Sequence, residues 1–188
     1  MIQTDMMVDA KGLACPMPIV KTRKAMKELA PGCVMEIQAT DKGSTADLKA
    51  WAGSSGHQYL GTTEEDGVLT HYLRKSNSDE TEETVYPHVA SNAELNDLLA
   101  NRTEIVLLDV REEAEYAFGH IPGAISMPIG KIDTELSINK EALLYVICRS
   151  GSRSGMASQM LTEAGFVNVK NVVPGMSGWT GPLDKSIQ

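Results

Sequence analysis

The chain has 188 residues, 42% of them apolar, and a net charge of −8 from 17 Lys/Arg against 25 Asp/Glu. That length leaves room for one or two domains with real cores, and the acidic balance argues against general nucleic-acid binding. No stretch approaches about 18 consecutive apolar residues, and Met1-Ile2-Gln3-Thr4-Asp5 has neither a basic nor an apolar leader segment, so no membrane span or signal peptide is expected and the reading is cytoplasmic.

Three cysteines without Cys-x-x-Cys spacing make neither a disulfide framework nor a zinc site, and suit reactive thiols in a reducing compartment. His57, His71, His88 and His120 are scattered. Neither a metal nor an organic cofactor is expected.

In chain order, Met6 to Asp9 reads as a short strand, followed by a turn into Cys15-Pro16-Met17-Pro18. A helix then begins, with Ile19, Thr22, Met26 and Leu29 on one face, Lys21, Arg23, Lys24 and Lys27 around the remainder, and Ala30-Pro31-Gly32 as its stop. Pro16 and Pro18 are tolerated in a first turn because those N–H groups have no intrahelical partner. Cys15 is left at or near the N-cap, where the helix macrodipole is expected to stabilise its thiolate. The basic face is equally a docking surface or a solvated helix side.

Val34 to Thr40 alternates like a half-buried strand, and Ser44-Thr45-Ala46-Asp47 reads as a capped helix start with Leu48, Trp51 and Ala52 on one face. Strands Gln58 to Thr63 and Val68 to Arg74 follow, joined by Glu64-Glu65-Asp66-Gly67. Cys33 reads as a packing residue, and so do Trp51 and the methionines.

Ser76 to Thr84 has no apolar residue and four acids, the composition of a solvated linker, and the domain boundary is placed there. Residues 1–75 hold nine bases and nine acids, so the whole net charge lies beyond them. About nine flexible residues have a root-mean-square reach of roughly 15 to 18 Å, enough for domain swinging.

In the second domain, Ser91 to Glu94 has capping-box spacing and opens a helix through Leu95, Leu98 and Leu99, and Ile105 to Leu108 reads as a buried parallel strand. Asp109 and Arg111 sit at that strand's carboxyl end, the edge where open α/β sheets place their ligand sites; Asp109 is expected to hold an arginine or a loop N–H. Leu143 to Ile147 is a second buried strand, stopped abruptly at Cys148. Beyond the loop, Ala157, Met160, Leu161 and Ala164 mark one face of a helix ending at Gly165.

Cys148 therefore stands between a strand end and a helix amino terminus, in a loop whose N–H groups form an anion cradle beside Arg149 and Arg153. Such neighbours bring a thiol from about 8.5 to roughly 3.5–7.5, so Cys148 is expected to be ionised at neutral pH.

Cys148-Arg149-Ser150-Gly151-Ser152-Arg153-Ser154, with Leu108-Asp109-Val110-Arg111, Glu115-Tyr116 and Gly119-His120-Ile121-Pro122-Gly123-Ala124, resembles a single-domain rhodanese over residues 85–188. The resemblance implies an α/β domain with a mostly parallel sheet flanked by helices, and a sulfurtransferase whose Cys148 holds a sulfane sulfur as a persulfide cradled by residues 149–153. Pro174-Gly175-Met176-Ser177-Gly178-Trp179 departs from the family's usual Gly-Gly, which questions the rim's shape. Four residues separate Cys148 from Arg153, where related phosphatases and arsenate reductases have five; the shorter loop favours sulfur over phosphate chemistry.

Asp9-x-x-Gly12-Leu13-x-Cys15-Pro16-x-Pro18 followed by Thr40-Asp41 resembles the TusA-like (SirA-type) sulfur carriers over residues 1–75. This implies a two-layer βαβαββ sandwich in which Cys15 carries sulfur as a persulfide. The joint reading is a sulfurtransferase that loads Cys148 from thiosulfate or glutathione persulfide, relays the sulfur to Cys15 and delivers it to a further protein or thiol, with ping-pong kinetics. The rivals are a non-catalytic sulfur-sensing or scaffold module, domains acting independently, and a Cys-dependent phosphatase or arsenate reductase. The direction of transfer and the final acceptor are left open.

Overall fold

A strand with one apolar face needs a covering layer, and in the first part of the chain two helices supply it. The computed structural model describes residues 2–78, 86–132 and 136–187. Elements run β1 (Met6–Ala10), α1 (Met17–Glu28), β2 (Val34–Ala39), α2 (Ser44–Ser54), β3 (Gln58–Glu65) and β4 (Val68–Arg74), with the sheet in the order β1-β2-β4-β3. β1 and β2 pair in parallel because α1 carries the chain back across the sheet, whereas β3 and β4 pair antiparallel through a tight turn. Asp66 and Gly67 both have positive φ, 51° and 76°, the combination that matches a hairpin's twist.

Met35, Ile37, Leu48 and Leu73 are fully buried between sheet and helices, joined by Met26 and Leu29 from the apolar face of α1. Cys33 and Trp51 pack partly against this core. The methionines divide: Met26 and Met35 are core, but Met7 and Met17 are exposed, because alternation on β1 and the first turn of α1 turn them outward. Ser44 is the first residue of α2 rather than its cap, which is Gly43.

The chain divides into two compact units, the first ending at Ser78. Of the acidic segment 76–84, residues 79–84 lie outside the described residues.

The second unit contains β5 (Val89–Ser91), α3 (Asn92–Ala100), β6 (Val106–Asp109), α4 (Glu113–Phe118), β7 (Ile125–Ser126), β8 (Leu143–Ile147), α5 (Ser152–Glu163) and β9 (Asn168–Val173). The strand order is β5-β9-β8-β6-β7, and every pairing is parallel. A parallel sheet is covered on both faces, which is why β8 reads as an unbroken apolar run. Leu144 and Val146 enter one core with Ala157 and Leu161 of α5; Tyr145 and Ile147 enter the other with Leu95 of α3. Ser91 caps α3 as its spacing suggests, accepting the Glu94 N–H at 3.1 Å. α4 and β7 carry no periodic signature, being too short to show one. β8 lies in the middle of the sheet, so its carboxyl end opens between the ends of β6 and β9.

Candidate functional site

Cys148 follows the last residue of β8 and is 1% exposed. The chain turns at Gly151, with φ of 104°, and α5 starts at the next residue. A Cβ on Gly151 would lie 2.7 Å from Val173 Cγ1, so both the backbone and the space demand glycine. The turn directs the Gly151 N–H at the sulfur at 3.1 Å and sets the Ser154 hydroxyl oxygen 3.2 Å from it, beside the amino terminus of α5.

Other elements hold this loop in shape. Asn171 on β9 donates from Nδ2 to the Gly151 carbonyl at 3.0 Å and accepts the Ser154 hydroxyl at 2.6 Å. From the rim, Met176 N–H donates to the Cys148 carbonyl and Ser177 N–H to the Arg149 carbonyl, both at 2.9 Å. The Pro174 to Trp179 rim closes as a 3-10 turn over Gly175–Gly178, despite its departure from the Gly-Gly pattern. Gly175 is indispensable: a Cβ there would sit 2.5 Å from the Cys148 carbonyl oxygen.

The arginines separate into different roles. Arg149 is exposed, as is Ser150, while Ser152 and Arg153 are buried. Arg153, expected at the substrate, is engaged inside the protein: its Nη1 and Nη2 donate to the two Glu115 carboxylate oxygens at 2.7 and 3.0 Å, both side chains nearly fully buried. The pair ties α5 to α4, since a carboxylate so enclosed demands a bidentate cation. Asp109, fully buried, accepts the Arg111 backbone N–H at 3.1 Å and its guanidinium at 2.6 to 3.1 Å, and Arg111 Nη2 also donates to the Gly119 carbonyl. This pair fastens the β6–α4 turn.

Sequence reasoning missed the roles of Glu115, Ser154, Asn171 and Gly175. Glu115, Ser154 and Gly175 lie within quoted motifs, but no spacing rule links Asn171 to a loop 20 residues earlier.

In the first unit, Cys15 is exposed and lies two residues before α1, with Pro16 at the N-cap and Pro18 buried in the first turn. The turn is fastened by the residues of its motif. Gly12 N–H donates to Thr40 Oγ1 at 2.9 Å, Cys15 N–H to Asp41 Oδ2 at 3.1 Å and Lys11 N–H to Asp9 Oδ1 at 3.0 Å. A neighbouring carboxylate works against the expected macrodipole effect. The Cys15 thiol is pushed up from its ordinary value, first by its hydrogen bond to the Asp47 carboxylate, then by desolvation and by the charges of Asp47 and Asp41. Among the described residues, no group of three or more His, Cys, Asp or Glu is arranged to hold a metal ion.

Residues 6–75 match the family described as Sulfurtransferase TusA, and residues 91–182 match the Rhodanese-like domain. Over 186 residues, 98% of this chain and all of the relative, the chain is 48% identical to "Putative sulfur carrier protein YrkF" of Bacillus subtilis (strain 168). The chain belongs to this TusA–rhodanese family. Its TusA part is also 51% identical over 74 residues to "Putative sulfur carrier protein YrkI" of the same organism, covering 39% of this chain and 99% of that one. A solved rhodanese-like domain protein from Staphylococcus aureus is similar at 31% identity and a TM-score of 0.49, covering 52% of this chain and 97% of that one. The TusA–rhodanese chain is thus a sulfurtransferase in the general sense, which takes sulfur from a donor and passes it to an acceptor. Among its described residues no helix is long and apolar enough to cross a membrane.

Proposed function

We propose that this TusA–rhodanese protein relays sulfane sulfur from a small donor, thiosulfate or a low-molecular-weight persulfide such as glutathione persulfide, through Cys148 to Cys15. The observation that carries the reading is the Gly151 N–H aimed at Cys148 Sγ in the turn between β8 and α5, on a chain that also presents an exposed Cys15. Cys148 thiolate attacks the donor's outer sulfur, the old sulfur–sulfur bond breaks, and its electron pair leaves with the remainder of the donor. The persulfide so formed is held by the Gly151 N–H, the Ser154 hydroxyl and the loop at Arg149 and Ser150. Cys15, once it has given up its proton, attacks the outer sulfur of that persulfide and regenerates Cys148 as the leaving thiolate. Asp109 and Arg111 fasten the β6–α4 turn, while Pro16 and Pro18 hold the presentation of Cys15. The loaded carrier unit then delivers its sulfur to a further protein or thiol.

Intact-protein mass spectrometry with peptide mapping, after brief exposure to either donor under non-reducing conditions, tests the relay in wild type, Cys148→Ser and Cys15→Ser. Cys15 should gain one sulfur atom in the wild type and none in Cys148→Ser. Equal loading of Cys15 in both would sink the relay, and no loading of Cys148 in any of them would make the rhodanese-like unit a binding module.

A further inference from the structure

Resting on that reading, we infer that Asn171 is a positioning residue for Cys148. Through the Ser154 hydroxyl it fixes the direction of a closed ring of hydrogen bonds around the sulfur, and it competes with the sulfur for the one proton that hydroxyl can give. An asparagine is out of place in the middle of a parallel sheet. β9 runs between β5 and β8, and Val169, two residues earlier on the same face, joins Ala157 and Leu161 of α5 in one core. Asn171 itself is 2% exposed. A buried amide is tolerated where its polar atoms are bonded, and both side-chain bonds of Asn171 go to the Cys148 loop.

The direction of each bond follows from what its partner can do. The Gly151 carbonyl only accepts, so the amide nitrogen of Asn171 faces it at 3.0 Å and Oδ1 faces Ser154. Oδ1 only accepts, so the 2.6 Å contact takes the single Ser154 hydroxyl proton. Ser154 Oγ therefore turns a lone pair toward Cys148 Sγ, 3.2 Å away, and the thiol S–H donates there. The Gly151 N–H, 3.1 Å from Sγ, closes the ring. Sulfur to Ser154, Ser154 to Asn171, Asn171 to Gly151 and Gly151 back to sulfur, every donor points the same way round, so each bond polarises the next. The thiolate breaks this circulation. When the S–H bond ionises, its electron pair stays on sulfur, the proton passes to water, and the Ser154 hydroxyl must turn from Asn171 to Sγ. Asn171 Oδ1 then loses its donor inside the protein. A persulfide sets the same demand, because its Sγ has no proton to give. Asn171 thus acts on the step that makes Cys148 a nucleophile without touching the sulfur donor.

The test reads the rate at which iodoacetamide alkylates Cys148 at neutral pH, in the full chain carrying Cys15→Ser, with peptide mapping to separate Cys148 from Cys33. No sulfur donor takes part, so failure of the relay and failure of this inference are told apart. Asn171→Ala frees the Ser154 hydroxyl for the sulfur and also releases the Gly151 carbonyl, but the second effect is common to every Ser154 background. The gain in rate from Asn171→Ala is therefore expected to be at least about fivefold larger with Ser154 present than in the Ser154→Ala background, the size of one hydrogen bond, and to return in Ser154→Thr, which keeps a hydroxyl. Equal gains in both backgrounds would make Asn171 a mere clamp on the loop and overturn the inference. If Asn171→Ala fails to fold, as a thermal melt would reveal, the infrared S–H stretching band of Cys148 decides. Identified by difference from Cys148→Ser, it should move to higher wavenumber in Ser154→Ala as the thiol loses its acceptor; an unmoved band overturns the inference as well.

Discussion

His71 shows how one side chain on β4 connects the interior of the first unit to the turn that carries Cys15. It is fully buried, with Nε2 2.9 Å from Ser44 Oγ and Nδ1 2.9 Å from both Tyr59 Oη and Thr62 Oγ1. Ser44 gives its proton to the Asp41 carbonyl at 2.6 Å and therefore accepts one from Nε2, so the ring is the neutral Nε2–H tautomer and Nδ1 accepts. Burial pushes His71 down from the ordinary 6.5 to about 4. Between those values the unfolded chain binds a proton that the folded chain refuses. Stability of this unit is accordingly full above about pH 6.5 and falls as pH drops toward 4, by up to about 3 kcal/mol. An NMR titration of the imidazole, paired with urea unfolding across that range, checks this; a ring titrating near its ordinary value would refute it. Because Ser44 also holds Asp41, whose carboxylate receives the Cys15 N–H, the same network fixes the turn that presents the thiol.

At the level of elements, the Cys148 loop is shaped from outside itself. β9 contributes Asn171, α4 contributes Glu115, and the rim turn contributes two N–H groups and the close approach of Gly175. Gly175→Ala would force a Cβ into the Cys148 carbonyl at a residue with φ of 75°, and the expected loss is at least about 2 kcal/mol of stability together with sulfur loading of Cys148. Gly123→Ala is the matched control: its φ is 81°, but a Cβ there meets nothing within 4 Å, so the backbone penalty acts alone. Urea denaturation and loading kinetics measured on both variants separate strain from collision; equal effects would show that the close approach is unimportant. β8 was legible because a strand buried on both faces is apolar throughout, and α1 and α5 because their apolar residues recur at helical spacing. α4 and β7 were not, since six and two residues are too few for any period to emerge.

Across the whole molecule, each of the two units has its own core, and the net negative charge belongs to the second. If sulfur passes between cysteines of one chain, the fraction of Cys15 loaded per loaded Cys148 is expected to be independent of protein concentration. Loading kinetics over a hundredfold dilution check this, and a proportional fall would mean transfer between molecules. The sequence alone determined the two-part organisation, the βαβαββ and parallel-sheet architectures, and the positions of Cys15 and Cys148. Those rest on local composition, period and motif, which survive in a linear string. Only the tertiary structure decided what surrounds each sulfur. The carboxylates that raise the Cys15 thiol come from α2 and the turn before it, and the acid that occupies Arg153 comes from α4. Charge on a site is a sum over neighbours in space, and residues 32 and 38 positions apart in the chain become neighbours only when the sheet brings their elements together.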